Sequence, residues 1–150
     1  MTKATDAAKA LLAEFWDNVV PVNLDLFLKP LGLKVVETDD MATESGQLSG
    51  DVIYVKKTDA DYRKRFTIAH EIGHAYLGHG DRYRNTVARV YSSEEADANA
   101  FAAELLMPTV AVRVLIEIDN LSDPAELREL FNVSAESMRY RLQHLGYIKE

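Results

Sequence analysis

The chain has 150 residues, of which 47% are hydrophobic and 27% charged, a balance that is typical of a folded domain and excludes a disordered or collagen-like chain. Its 24 acidic and 17 basic side chains give a formal charge of -7, which disfavours unaided binding to nucleic acid or anionic lipid. The absence of cysteine excludes disulfides and thiolate chemistry, so candidate metal ligands are limited to His, Asp and Glu.

The first third of the chain predicts two helices and then a small sheet. Apolar residues at helical spacing predict an amphipathic helix over residues 6–18 that Pro21 ends, and a short second helix over residues 24–28. The first helix carries charges throughout and matches neither a signal peptide nor a membrane span, so we expect a cytoplasmic protein without membrane contact.

Three short segments with turn residues between them then predict an antiparallel sheet, with a hairpin turn at Gly50-Asp51. They are residues 33–38, 46–50 and 51–57.

Helical periodicity returns near residue 59 and dominates the rest of the chain. It predicts two long buried helices, the second ended by Pro108, and then three shorter helices near 109–118, 124–131 and 134–145. We therefore predict an α+β fold with a core over residues 1–108 and a helical extension over 109–150 that packs on it.

The extension resembles a helix-turn-helix unit over residues 124–148. Its acidic residues outnumber its basic ones, which argues against direct binding to DNA. Arg139 and Arg141 could contact a phosphate, but packing on the core or docking a partner is the favoured role.

The segment HEIGH at residues 70–74 carries the clearest chemical signal. In a helix, positions four apart emerge on nearly the same face, so His70 and His74 can bind one Zn²⁺ ion, and Glu71 beside them can accept a proton from a water that the ion activates. The alternative is a chance pair of histidines in a buried helix. We interpret His79 as closing the end of this helix, where positive charge is favoured, and not as a ligand.

A catalytic zinc site needs a third protein ligand, and a carboxylate of the next helix is the candidate. Glu95 begins the sequence EADAN, with Glu94 and Asp97 as substitutes. Asn99 lies one turn further along the same face and could orient a ligating histidine. Glu95 also fits a capping box over residues 92–95, and local spacing does not separate the two roles.

Residues that contact a substrate are less well defined by the sequence. The strand over residues 52–55 could pair with an extended peptide at its edge, with Tyr54 beside the site, although a purely structural strand is an equal alternative. Candidates for stabilising a developing oxyanion are Tyr54, Tyr91, Arg82 and Arg84, which flank the ligand-bearing helices, and nothing in the sequence chooses among them.

Two blocks of sequence carry a family resemblance. RFTIAHEIGHAYLGH at residues 65–79 and EADANAFAAELLMP at residues 95–108 resemble the ImmA/IrrE family of zinc metallo-endopeptidases. With the preceding sheet, the resemblance covers roughly residues 20–108. Asp97 stands where that family often has a second Glu, in E-x-E-A-N.

The resemblance implies a zincin-like fold with two central ligand-bearing helices, and an HExxH hydrolase of the gluzincin type. It further implies that Zn²⁺ is held by His70, His74 and Glu95, and that Glu71 is the catalytic base.

The resemblance also implies a partner. Members of that family are commonly paired with Xre-type helix-turn-helix repressors, which they cleave or otherwise inactivate. The implied substrate is such a repressor, from a prophage, mobile-element, stress or toxin–antitoxin system. Two alternatives are a regulatory protein that binds the repressor without cutting it and a DNA-binding regulator that uses the C-terminal helices.

Overall fold

The N-terminal part of the chain forms two helices. The computed structural model describes residues 2–39, 46–79 and 93–149. Helix α1 spans Lys3–Phe15 and begins where the Thr2 hydroxyl accepts a hydrogen bond from the backbone N–H of Thr5, and α2 spans Asp25–Leu28. Pro21 does not end α1, as the sequence had suggested, because Trp16 is already extended with a ψ of 136°.

The sheet has three strands, and it is mixed instead of antiparallel. Strands β1, β2 and β3 span Lys34–Thr38, Gly46–Ser49 and Val52–Lys56, and they lie in the order β1-β3-β2. The predicted turn at Gly50-Asp51 is confirmed, since Gly50 has a φ of 61° and joins β2 to β3 as an antiparallel hairpin. β1 pairs with β3 in parallel, which corrects the antiparallel expectation: only strands joined by a tight turn are bound to run antiparallel.

One face of the sheet packs against helices. Leu48, Ile53 and Val55 on this face are at most 2% exposed and belong to the main apolar core. Because side chains alternate along a strand, Tyr54 points to the opposite face. The sheet therefore has one buried face and one outer face.

The helices that follow lie where the periodicity predicted them. The long helices α3 and α4 span Asp61–Tyr76 and Ser93–Leu106. The C-terminal helices are α5 over Thr109–Arg113, which continues as a π-helical turn over Val114–Ile118, α6 over Pro124–Phe131, and α7 over Ala135–His144. In the described parts of the chain, no helix combines the length and apolarity that crossing a membrane requires.

Helices α3 and α4 pack together at the centre of the molecule, and α1 packs on α4. The closest approach is at Gly73, where an added Cβ would lie 3.1 to 3.2 Å from three atoms of the fully buried Phe101 side chain. A methyl group at this position would be closer than ordinary van der Waals contact, so the Phe101 side chain would have to shift by a few tenths of an ångström. Gly73 therefore permits the close approach of α3 to the Phe101 ring of α4.

The C-terminal helices are joined to the core by a buried ion pair. Arg141 on α7 is 6% exposed, and its Nη2 lies 2.6 Å from Oε1 of Glu104 on α4. The guanidinium also donates to the Met107 carbonyl oxygen at 3.0 Å and to the Thr109 hydroxyl at 3.1 Å. Arg141 thus packs on the core and is not available to a phosphate.

Replacing Arg141 with Met should lower the free energy of unfolding by about 3–5 kcal/mol, because Glu104 would keep a buried charge without its partner. Arg139→Met, on the exposed face of the same helix, is the matched control and should change it by less than about 0.5 kcal/mol. Chemical denaturation measures both values. Equal losses in the two variants would contradict a structural role for the pair.

Candidate functional site

Helices α3 and α4 bring three potential metal ligands to one point. His70 and His74 lie one turn apart on α3, and their Nε2 atoms are 3.2 Å apart. Glu95, in the first turn of α4, places Oε1 at 3.0 Å from Nε2 of His70 and Oε2 at 2.6 Å from Nε2 of His74. Potential ligand atoms of all three residues lie within 4.8 Å of one another.

This donor set suits a divalent metal ion. Two imidazole nitrogens and a carboxylate face one point, so lone pairs of nitrogen and oxygen lie close together. This arrangement is favourable only when a proton or a cation lies between them. Four ligands bound tetrahedrally at about 2.0–2.1 Å lie about 3.3 Å from each other, close to the 3.2 Å between the two Nε2 atoms. The three residues could therefore hold an ion such as zinc after small adjustments of the carboxylate.

Among the three acidic residues that the sequence offered, the one it favoured lies beside the histidines. Glu95 is in the group with the two histidines, whereas Glu94 and Asp97 are not among the described residues that cluster there. Asn99 is exposed one turn along α4, and in the described structure its side chain makes no hydrogen bond to either histidine. Ser92, which the capping box requires, lies outside the described residues, as do Tyr91, Arg82 and Arg84.

Glu71 lies beside the histidines under the first residue of β2. Its side chain is 1% exposed, and it lines the same cleft as His70 and Glu95. A Cβ added to Gly46 would lie 3.2 Å from Oε2 of Glu71 and 2.2 Å from Cγ2 of Thr67. The strand can approach Glu71 this closely only because residue 46 has no side chain.

His79 has a contact that the sequence analysis missed. Gly78 takes a φ of 77°, and the backbone N–H groups of Gly78 and His79 donate to the carbonyl oxygens of Ala75 and His74, which is a Schellman ending. His79 thus closes the helix, as expected from the sequence, but its Nδ1 also lies 2.9 Å from Nδ1 of His74. Gly78 was the available signal in the sequence, because a helix that ends at a glycine in this way folds the next residue back towards its last turn.

A cleft of about 830 Å³ extends from this group of residues between α3, α4 and α7. Tyr54 is not among its lining residues and points to the far face of the sheet. The expected edge pairing by β3 is also wrong, because β3 is the central strand and both its edges are taken by β1 and β2. Among the described strands, β2 is the outer one next to Glu71.

An H-E-x-x-H helix that faces a glutamate of a second helix, at the floor of an open cleft, is typical of metallopeptidases. A family model described as the IrrE N-terminal-like domain, of a peptidase family, matches residues 25–143. The chain belongs to this ImmA/IrrE family, which confirms the family indicated by the sequence. The family implies a metal ion at the site.

Two individual proteins are similar to the chain. The radiation response metalloprotease IrrE of Deinococcus radiodurans is 33% identical over 100 residues, which cover 61% of this chain and 30% of that protein. The solved structure of a Mycobacterium tuberculosis transcriptional regulator matches 95% of this chain and 47% of its own, with a TM-score of 0.69 and 21% identity, and shows a shared fold. The chain spans less than half the length of either relative.

Gly46→Ala should lower the free energy of unfolding by about 1–3 kcal/mol, because the new methyl would overlap Cγ2 of Thr67. Adding Thr67→Ser removes that methyl group and should recover most of the loss. Thr67→Ser alone is the control. If the double variant is as unstable as Gly46→Ala, the clash is not the cause.

His79→Ala should weaken the binding of zinc, used as the test ion, by about 10- to 100-fold, because His74 would lose the ring that holds its orientation. Competition with a chromogenic chelator measures the affinity. His144→Ala, which changes a histidine elsewhere on the cleft, should leave the affinity unchanged. An unchanged affinity in His79→Ala would show that the contact does not position His74.

Proposed function

We propose that this protein is a zinc-dependent endopeptidase that hydrolyses a peptide bond of a protein partner. The observation that carries the proposal is the convergence of His70, His74 and Glu95 next to a cleft that His70, Glu95 and Glu71 line. His70, His74 and Glu95 would hold the ion, and no fourth protein ligand is needed, since a catalytic site keeps one position open.

Each residue of the proposed site would have a separate role in hydrolysis of the peptide bond. When bound, zinc would supply a Lewis acid that polarises the peptide carbonyl and makes a neighbouring water more acidic. The buried carboxylate of Glu71 would accept the proton of the attacking water and deliver it to the nitrogen of the leaving amine. His79 would keep the ring of His74 in place during this transfer.

A protein substrate would reach the site as an extended segment. In the described sheet, β2 is the edge strand, and its first residue lies next to Glu71. An extended peptide could lie alongside this strand and reach Glu71. This role replaces the one that the sequence suggested for β3 and Tyr54.

For the partner, we propose an Xre-type helix-turn-helix repressor of a prophage, mobile-element, stress or toxin–antitoxin system. The support is membership of the ImmA/IrrE family. Direct binding to DNA is disfavoured by the formal charge of -7 and by the burial of Arg141 in an ion pair.

Glu71→Gln should retain about one equivalent of zinc and lose hydrolysis by about 10²- to 10⁴-fold, because the amide cannot accept the proton. Glu95→Ala should instead lose most of the metal. Elemental analysis and cleavage of a purified candidate repressor measure the two properties.

The same variants separate the proposed peptidase from a regulator that only binds. If Glu71→Gln still inactivates the repressor in cells as the unaltered protein does, the partner is controlled by binding and the peptidase proposal is wrong. Unchanged zinc content in Glu95→Ala would remove Glu95 from the ligand set.

A further inference from the structure

Helix α5 and the π-helical turn that continues it carry apolar side chains on two different faces. On the inner face, Val112 is fully buried, and Leu115 and Ile116 pack against the main apolar core. On the outer face, Val110 and Ile118 are 68% and 69% exposed. A helix on the surface of a protein usually turns polar residues to the water, so the burial of the inner face does not account for the outer one.

The outer residues form one line, the apolar stripe of Val110, Val114 and Ile118, which follow each other at four-residue steps. In an α-helix each such step advances by about 400°, so the third residue would drift by about 80° from the first. The π-helical turn, closed by the hydrogen bond from the Asp119 N–H to the Val114 carbonyl oxygen at 3.1 Å, holds more residues per turn. The drift is thereby reversed, and Ile118 returns towards the line of Val110.

The π-helical turn supports a functional role for the stripe. Such turns are rare in proteins, and they occur frequently at functional sites. None of the three stripe residues is among those that line the cleft beside the metal ligands. The turn therefore shapes a surface that is separate from the site of hydrolysis.

Two opposite charges flank the stripe and are held in place. Arg113 and Glu117 lie one turn apart, and Nη1 of Arg113 is 3.4 Å from Oε2 of Glu117. The Tyr147 hydroxyl joins them, since it accepts a hydrogen bond from Nη1 at 3.0 Å and donates one to Oε2 of Glu117. The positive group thus lies towards the Val110 end of the stripe and the negative group towards the Ile118 end.

A second copy of the same chain matches this arrangement. In a twofold symmetric dimer both copies use the same surface, so that surface must be complementary to itself. When two stripes pack antiparallel about an axis near their middle, apolar side chains face each other and leave the water. Arg113 of each chain then lies opposite Glu117 of the other. A stripe flanked by charges of a single sign would instead suit a partner of the opposite charge.

We propose that the apolar stripe is the contact surface of a symmetric homodimer, in which Arg113 of each chain pairs with Glu117 of the other. The surface comes from a single short helical segment, so the interface is small and we expect a dissociation constant in the micromolar range. Because the stripe does not line the cleft, the proposal is independent of the peptidase function.

Sedimentation velocity of the full chain at about 1 to 500 μM measures the association. The unaltered protein should shift from monomer to dimer across this range. Val110→Glu and Ile118→Glu should each weaken the dimer at least about tenfold, because a carboxylate would lose its water in the apolar contact. Val19→Glu is the matched control, since Val19 is also 58% exposed but lies between α1 and α2, and it should leave the dimer unchanged.

Exchange of charges tests the pairing itself. Arg113→Glu and Glu117→Arg each place like charges opposite each other, so either variant alone should associate at least about tenfold more weakly. An equimolar mixture of the two should associate about as tightly as the unaltered protein, because every contact between the two different chains again joins opposite charges. Both variants lack the ion pair within the chain, so a purely structural role of Arg113 and Glu117 would not produce this rescue.

Four results would overturn the proposal. The first is a protein that stays monomeric up to about 500 μM. The second is a dimer that Val110→Glu and Ile118→Glu leave intact, or that Val19→Glu weakens equally, because another surface would then form it. The third is a mixture of the two charge variants that does not associate. The fourth is a monomeric protein whose Ile118→Glu variant no longer inactivates the repressor in cells, which would assign the stripe to a different protein.

Discussion

The close approach of α3 to α4 is the constraint on which the site depends. His70 and His74 belong to α3 and Glu95 to α4, so their contacts exist only at the spacing that Gly73 and Phe101 allow. Glycine inside a helix costs about 0.5–1 kcal/mol relative to alanine. A methyl group on residue 73 would instead press on the buried ring of Phe101, at the place where the two helices meet.

The C-terminal helices complete the cleft and are not an independent appendage. Leu127, Phe131 and Met138 belong to the same apolar core as the sheet and the central helices. A buried ion pair such as Arg141–Glu104 contributes little net stability, but it accepts only one arrangement of its partners and therefore fixes where α7 lies. The contact of Glu95 with the histidines and the ion pair of Glu104 with Arg141 thus lie near opposite ends of one helix, α4.

Local patterns predicted the parts of the structure that depend on local geometry. Helical periodicity placed His70 and His74 on one face, and the Gly50-Asp51 pair located the hairpin turn. Contacts between segments that are far apart in the chain could not be predicted from such local patterns. The sequence favoured Glu95 as a ligand, but its position beside the histidines depends on the packing of α3 on α4. The parallel pairing of β1 depends on the path of the whole sheet, and the partner of Arg141 lies 37 residues away. Tyr54 was misplaced because the alternation along β3 does not reveal which face the helices cover.

The central claim is that two imidazoles and one carboxylate bind a common ion, and X-ray absorption at the zinc edge tests it most directly. The zinc-loaded protein should show two imidazole nitrogens and carboxylate or water oxygen at about 2.0–2.2 Å, with no sulfur. In His74→Ala the imidazole scattering should fall to that of a single ring or the ion should be lost. A first shell of oxygen alone, or a spectrum that His74→Ala leaves unchanged, would contradict the account.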